Sequence, residues 1–187
     1  MANQDAAFGL KAIGKVGQNR DNQGLSEYSI AANASAIYQW DPVEMAATGT
    51  ITVAAATDTL LGSINGVFYT DASTSKPTWA NHLNASNTAT DIVGFVHDDP
   101  YERFEIQSDA ALTAAEVGMN ADIVYAAGST PNYISKVELD HSDLKTATAQ
   151  LRVIGISKDP KNNEAGAADV NAVVIINEHF LKGTVGI

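Results

Sequence analysis

The chain has 187 residues, no cysteine and a net charge of −11. That length suits one sizeable domain, and hydrophobic residues at 45% supply material for a core. The lack of cysteine excludes disulfides, thiolate catalysis and Cys-based zinc sites together. No apolar run approaches the roughly 20 residues that cross a bilayer, and the N-terminus has no apolar stretch of the secretory kind. The expected address is therefore the cytoplasm or the inside of an assembly.

Charge is unevenly placed. Residues 1–20 set Lys11, Lys15 and Arg20 against Asp5, a net of +2, which leaves −13 for the rest. So acidic a body repels phosphate backbones, and nucleic acid is a poor partner. A mildly basic arm on an acidic body fits recognition of an acidic protein surface, or simply a solvated surface.

Residues 1–40 read as an extended N-terminal arm, and residues 41–187 as a β-rich domain. Gly9, Gly14, Gly17 and Gly24, with the polar run Gln18 to Gln23, give the arm no period. Phe8, Leu10, Ile13 and Val16 would nevertheless be wasted in a free tail. The arm is expected to lie along a surface, either its own domain's or a neighbour's. Gly9 to Val16 approaches the phosphate-loop pattern, but Val16 stands where the magnesium-binding hydroxyl belongs. Only eight residues precede it, too few for the required strand, so no nucleotide site is read here.

From Ile30 onward short strand candidates recur between turn signals. Ser35 to Trp40 runs into the turn Asp41-Pro42; Thr50 to Ala54 follows Gly49, and Gly66 to Thr70 follows Asn65. Asp71 to Thr90 reads as a long polar loop holding Trp79, a length that usually reflects packing or partner contact. Ile92 to Asp109 then shows an apolar run, a break at His97-Asp98-Asp99-Pro100, and an alternating run. In the latter, Phe104 and Ile106 share one face, and Arg103, Glu105 and Gln107 the other. The two runs read as a strand pair.

Thr113-Ala114-Ala115-Glu116 has capping-box spacing, with Gly118 close behind, which permits only a short helical turn. Strands are expected over Ala121 to Ala126, Tyr133 to Leu139, Gln150 to Ser157 and Asn171 to Asn177. Val173-Val174-Ile175-Ile176 is apolar on both faces, as in a central strand or one covered by a partner. Ile92-Val93-Gly94-Phe95 and Val153-Ile154-Gly155-Ile156 echo each other, either as a repeated hairpin or by coincidence. Many short strands with sparse helix argue for a mainly β fold, a single β-barrel or jelly-roll-like β-sandwich.

Chemistry is thin. His82, His97, His141 and His179 are scattered without metal-ligand spacing, and no G-x-S-x-G elbow occurs. Asp98, Asp99, Glu102 and Glu105 form the densest acidic cluster, which reads first as a solvated turn, then as a cation site or acid–base pair. Glu102 and Glu105 fall on opposite strand faces and cannot converge. No cofactor, metal or catalytic residue is expected, and the chain does not read as an enzyme. The aromatics Tyr38, Trp40, Phe68, Tyr69, Trp79, Phe95, Tyr101 and Phe104 read as core packing.

Several phrases in order carry a resemblance. They are Phe8-Gly9-Leu10, Gly66-Val67-Phe68-Tyr69, Asp98-Asp99-Pro100 leading into Phe104-Glu105-Ile106-Gln107, and Val117 to Asp122. Leu151-Arg152-Val153-Ile154-Gly155 and Ile175-Ile176-Asn177-Glu178-His179 follow. The chain resembles small virion proteins of tailed bacteriophages that decorate or cement the capsid. The resemblance implies a β-rich homo-oligomer, a dimer or trimer, on the capsid outer surface. There it would bind the major capsid protein, with no membrane partner. The residues expected to meet a partner are Phe8, Leu10, Lys11, Ile13 and Lys15 of the arm, and Trp79 of the loop. The rival readings are a tail or host-surface module binding a glycan or receptor, and a metal-dependent hydrolase using the Asp98 to Glu105 acids.

Overall fold

The computed structural model describes residues 2–17 and 24–183. Its first six strands are β1 (Lys11–Lys15), β2 (Ser26–Ser29), β3 (Pro42–Met45), β4 (Ile51–Val53), β5 (Leu60–Thr70) and β6 (Pro77–Ala80). Next come β7 (Val93–His97), β8 (Glu102–Gln107), β9 (Asn120–Ala121) and β10 (Ile123–Val124). β11 (Glu138–Leu139), β12 (Leu151–Ile156) and β13 (Asn171–Ile176) complete the set. Helix is confined to three single 3-10 turns among the described residues. The fold is mainly β, as the sequence implies.

Two antiparallel sheets organise the chain. Sheet A runs β1-β8-β13-β12-β9, and sheet B runs β2-β7-β5-β3-β4 with β6 added to β5. β10 and β11 form a separate ribbon. Both strand orders are open, so the architecture is that of a sandwich, with no barrel closure seen among the described residues.

Two apolar clusters hold the sheets. The inner face of sheet A supplies Phe104, Ile106, Leu151, Val153, Ala172, Val174 and Ile176, and the ribbon covers them with Ile123 and Leu139. Sheet B supplies Ile64, Val67 and Val96, covered by Ile30, Ile37, Leu83, Ala89 and Ile92 from the connecting segments. Strict alternation in β8 explains why one period-two run makes a core: Phe104 and Ile106 are fully buried while Arg103 and Glu105 are not. Gly94 is buried where the δ-methyls of Ile30, Ile51 and Ile64 converge, so any side chain there would displace them.

Three expectations need correction. Ile92 to Asp109 is not a hairpin: β7 pairs with β2 and β5, whereas β8 pairs with β1 and β13. The break at His97 to Tyr101 carries the chain from one sheet to the other. The echoed Gly94 and Gly155 therefore sit in different sheets. Gly155 adjoins a bulge in β12, while β7 has an unbroken strand at Gly94. Ser35 to Trp40 makes only isolated bridges, because Ile37 and Gln39 hydrogen-bond to separate segments. The loop around Trp79 is a hairpin, since Pro77–Ala80 pairs with the end of β5 and Asp71 caps the turn by accepting from the backbone of Ser73 and Thr74.

The described part of the arm lies on its own domain. Residues 11–15 form the edge strand of sheet A, and residues 26–45, spanning the arm's far end and the start of the domain, contribute β2 and β3 to sheet B. Asn3 to Ala6 are clamped by side-chain amides rather than by a ladder. Gln107 donates to the carbonyls of Gln4 and Asp169 and accepts from Ala6 N–H at 2.9 Å. Asn162 likewise bonds Gln4 on both its oxygen and its nitrogen. Arg20 and the polar run Gln18 to Gln23 fall outside the described residues.

Candidate functional site: two interaction faces

One face of sheet B turns aromatic side chains outward. Cross-strand register sets Phe68 opposite both Trp79 and Val93, and Phe95 opposite Gly66. Gly66 lets the Trp79 indole lie across β5, since a Cβ there would come within 3.0 Å of its ring. The indole then meets the Phe95 ring, with centroids 4.7 Å apart and planes tilted by 52°. Trp79 is 55% exposed and Phe68 39%, so this is an open strip and not a core. Its border is acidic: Glu27 is exposed opposite Phe95, and exposed Asp91 accepts from Thr70 N–H. Lys76 stands in the adjoining hairpin turn.

The outward face of sheet A has the opposite character. Register aligns Arg103, Ile175 and Arg152 in one row, and Lys11, Glu105 and Val173 in the next. Val173 and Ile175 are half-buried and belong to neither core cluster of the described residues, and Ile154 at the β12 bulge is 36% exposed. Arg152 donates its Nε–H to Asn120 at 2.9 Å, while the buried Arg103 Nε has no hydrogen-bond partner. Glu105, bonded by Ser157 and Asn171, is the one carboxylate in these two rows against Arg103, Arg152 and Lys11, so positive charge dominates.

Between the sheets, the crossing at His97 to Glu102 gathers titratable groups. Lys15 pairs with Asp99 at 2.7 Å, and this bond holds the Asp99 carboxyl below its usual range. Burial pushes Glu102 up to about 7, partly opposed by Lys15, and one of its oxygens has no hydrogen-bond partner. Burial also lowers His97, and it lowers His179 to about 4 with help from Lys182. His179 Nδ1 accepts from Leu181 N–H and so caps the last 3-10 turn. A concavity of about 380 Å³ beside it is lined by Thr57, Thr59, Asn177, Glu178 and Lys182. These groups hold the crossing and the C-terminal turn in place. Among the described residues, no three His, Asp or Glu assemble as a metal site, and no helix is long and apolar enough to cross a membrane.

The residues expected to meet a partner are dispersed. Trp79 lies on the aromatic face. Phe8 packs edge-on to Trp40 at 6.3 Å, and Lys11 Nζ sits 5.6 Å from the Trp40 ring centre. Ile13 is 40% exposed beside the β1 bulge, and Lys15 belongs to the crossing. Leu10 is the correction. It is fully buried in this chain's own core, because its N–H bonds Trp40 and its carbonyl receives the Ser63 hydroxyl, which draws the side chain inward. Phe68 and Phe95, expected as core aromatics, lie on an open face, and Arg152, Ile175 and Glu27 join the faces without having been singled out by the sequence. Alternation in β8 already put Arg103 outward, but which strands stand beside it depends on long-range pairing.

No family model, no curated protein and no solved structure matches this chain.

Proposed function

We propose that this chain is a structural virion protein that decorates and cements the capsid of a tailed bacteriophage. It binds the major capsid protein lattice as a homo-oligomer on the outer surface, after synthesis in the host cytoplasm, and performs no catalysis. The observation that carries this reading is the pair of unlike apolar faces on separate antiparallel sheets, one aromatic with an acidic border and one aliphatic with arginines. A lattice subunit needs more than one contact surface, and preformed sheets supply them with no backbone left to order at assembly, only side chains. Aromatic and arginine anchors are the residue types that concentrate binding energy in such contacts. The ordered phrases of the sequence point the same way. The tilt between Trp79 and Phe95 disfavours the flat stacking platform that a sugar-binding module would use.

The test is co-sedimentation of the purified chain with cognate phage heads that lack it, followed by electron microscopy. Saturable binding at regular lattice positions is the expected result. Failure to bind intact, expanded heads would overturn the decoration reading and favour a tail or host-surface module, for which glycan binding would be measured next.

A further inference from the structure

We infer that the two faces are complementary halves of one contact, so that the Arg103–Ile175–Arg152 face of one copy seats on the Trp79–Phe68–Phe95 face of a second copy. The inference rests on the assembly reading above and adds which surface meets which. Each face is apolar at its centre, and their charges are opposite. Arg103, Arg152 and Lys11 border the first, outnumbering the one carboxylate of those rows, Glu105. Glu27 and Asp91 border the second, with Lys76 of the adjoining turn offsetting them in part. The chain as a whole carries −11, so self-repulsion must be overcome locally, and a basic face meeting an acidic one does this.

The charge pattern also selects the symmetry. A two-fold contact of the arginine face with itself would oppose Arg152 to the like charges of its own row. A two-fold contact of the aromatic face would bring two copies of Glu27 and Asp91 into one interface, with Lys76 of the adjoining turn as a partial offset. Each arrangement sets like charges together, which is costly. Joining unlike faces removes both conflicts and sets the exposed Arg152 guanidinium against the carboxylates of Glu27 and Asp91. Such a head-to-tail contact closes into a ring if the rotation allows and otherwise extends as a filament.

Mixing experiments with the full chain test this directly. Trp79→Asp disables the aromatic face and Arg152→Glu the basic face. Both side chains are exposed, so circular dichroism should show an unchanged fold. By sedimentation velocity, the wild-type chain should self-associate, with an apparent dissociation constant that weakens at least about tenfold on going from low to high salt. Each variant alone should be monomeric. Mixed in equal amounts they should form a dimer that grows no further, because each supplies one intact half and the other ends are blocked. If either variant alone still associates like the wild type, the contact is two-fold and the inference fails. A mixture that stays monomeric sinks it equally. A wild-type chain that is monomeric in solution yet binds phage heads saturably would overturn this contact while leaving the decoration reading standing. Self-association by the mixing rule without binding to heads would do the reverse.

Discussion

Leu60 and Leu61 are neighbours in the chain and fill different cores. Alternation sends Leu60 to the cluster under sheet A and Leu61 to the cluster under sheet B, so β5 ties the two sheets through adjacent side chains. Leu60 N–H bonds Glu178, and Ser63 donates its hydroxyl to Leu10, which brings the N-terminal strand and the C-terminal turn to the same place. Leu60→Ala should cost about 2–5 kcal/mol, as large-to-small changes in fully buried sites do. Chemical denaturation followed by near-ultraviolet signals should show both sheets lost in a single transition. Two separate transitions would show that the cores are independent.

Leu10→Ala should destabilise by a similar 2–5 kcal/mol, because the side chain is fully buried beside Phe104 and Val137. Removal of residues 2–17 should be worse, since it deletes β1 as well and uncovers the β8 edge. Taking residues 41–187 as the domain implies that it survives loss of the arm. A shortened chain with native stability would vindicate that reading and make the strand dispensable.

Gln107→Ala should free Asn3 to Ala6 without melting the sheets. The side chain makes three hydrogen bonds to backbone groups, and its loss leaves Ala6 N–H and Gln4 C=O without those partners. A cost of about 1–3 kcal/mol is expected. Hydrogen exchange should accelerate at Ala6 while β8 and β13 stay protected.

Glu102 makes stability depend on pH in a defined window. Its folded value is raised from 4.5 to about 7, so the folded chain holds the proton more tightly than the unfolded chain does. The associated stability is fully present below pH 4.5 and is lost as pH rises through about 7. Glu102→Gln should therefore match the wild type in acid and exceed it by roughly 1 kcal/mol above neutrality. His179 acts oppositely: its folded value falls from 6.5 to about 4, so its contribution is present above 6.5 and lost as pH drops through that range. Thermal melts of Glu102→Gln and wild type across pH 4 to 9 isolate the first effect; parallel curves would refute it.

Trp79→Ala should leave the monomer's stability nearly unchanged, since the indole is largely exposed and gives up little beyond its contact with Phe95. Association should weaken by roughly 2 kcal/mol or more if the ring anchors a subunit contact. Full retention of binding would reduce Trp79 to a surface residue of the hairpin.

Local pattern determined much of this protein. Period-two alternation placed Phe104 and Ile106 inward and Arg103 and Glu105 outward, and the doubly apolar Val173 to Ile176 marked a central strand. The spacing Thr113 to Glu116 yielded a single 3-10 turn, with the Glu116 carboxylate accepting from Thr113 N–H at 2.6 Å. These features depend on a few adjacent residues, which is why they can be read without the fold. What the tertiary structure alone decided was the partnership of strands. β7 and β8 are separated by a tight polar break, as hairpin strands would be, yet each pairs with strands distant in sequence, because their apolar faces belong to different cores. Strand β1 has two lysines and a glycine among its five residues and is too short to bury much surface. It exists because β8 offers it an edge, so no property of its own residues announced it. The two interaction faces arise the same way: Arg103 meets Arg152 across Ile175, and Trp79 meets Phe95 across Gly66, only once the registers are set.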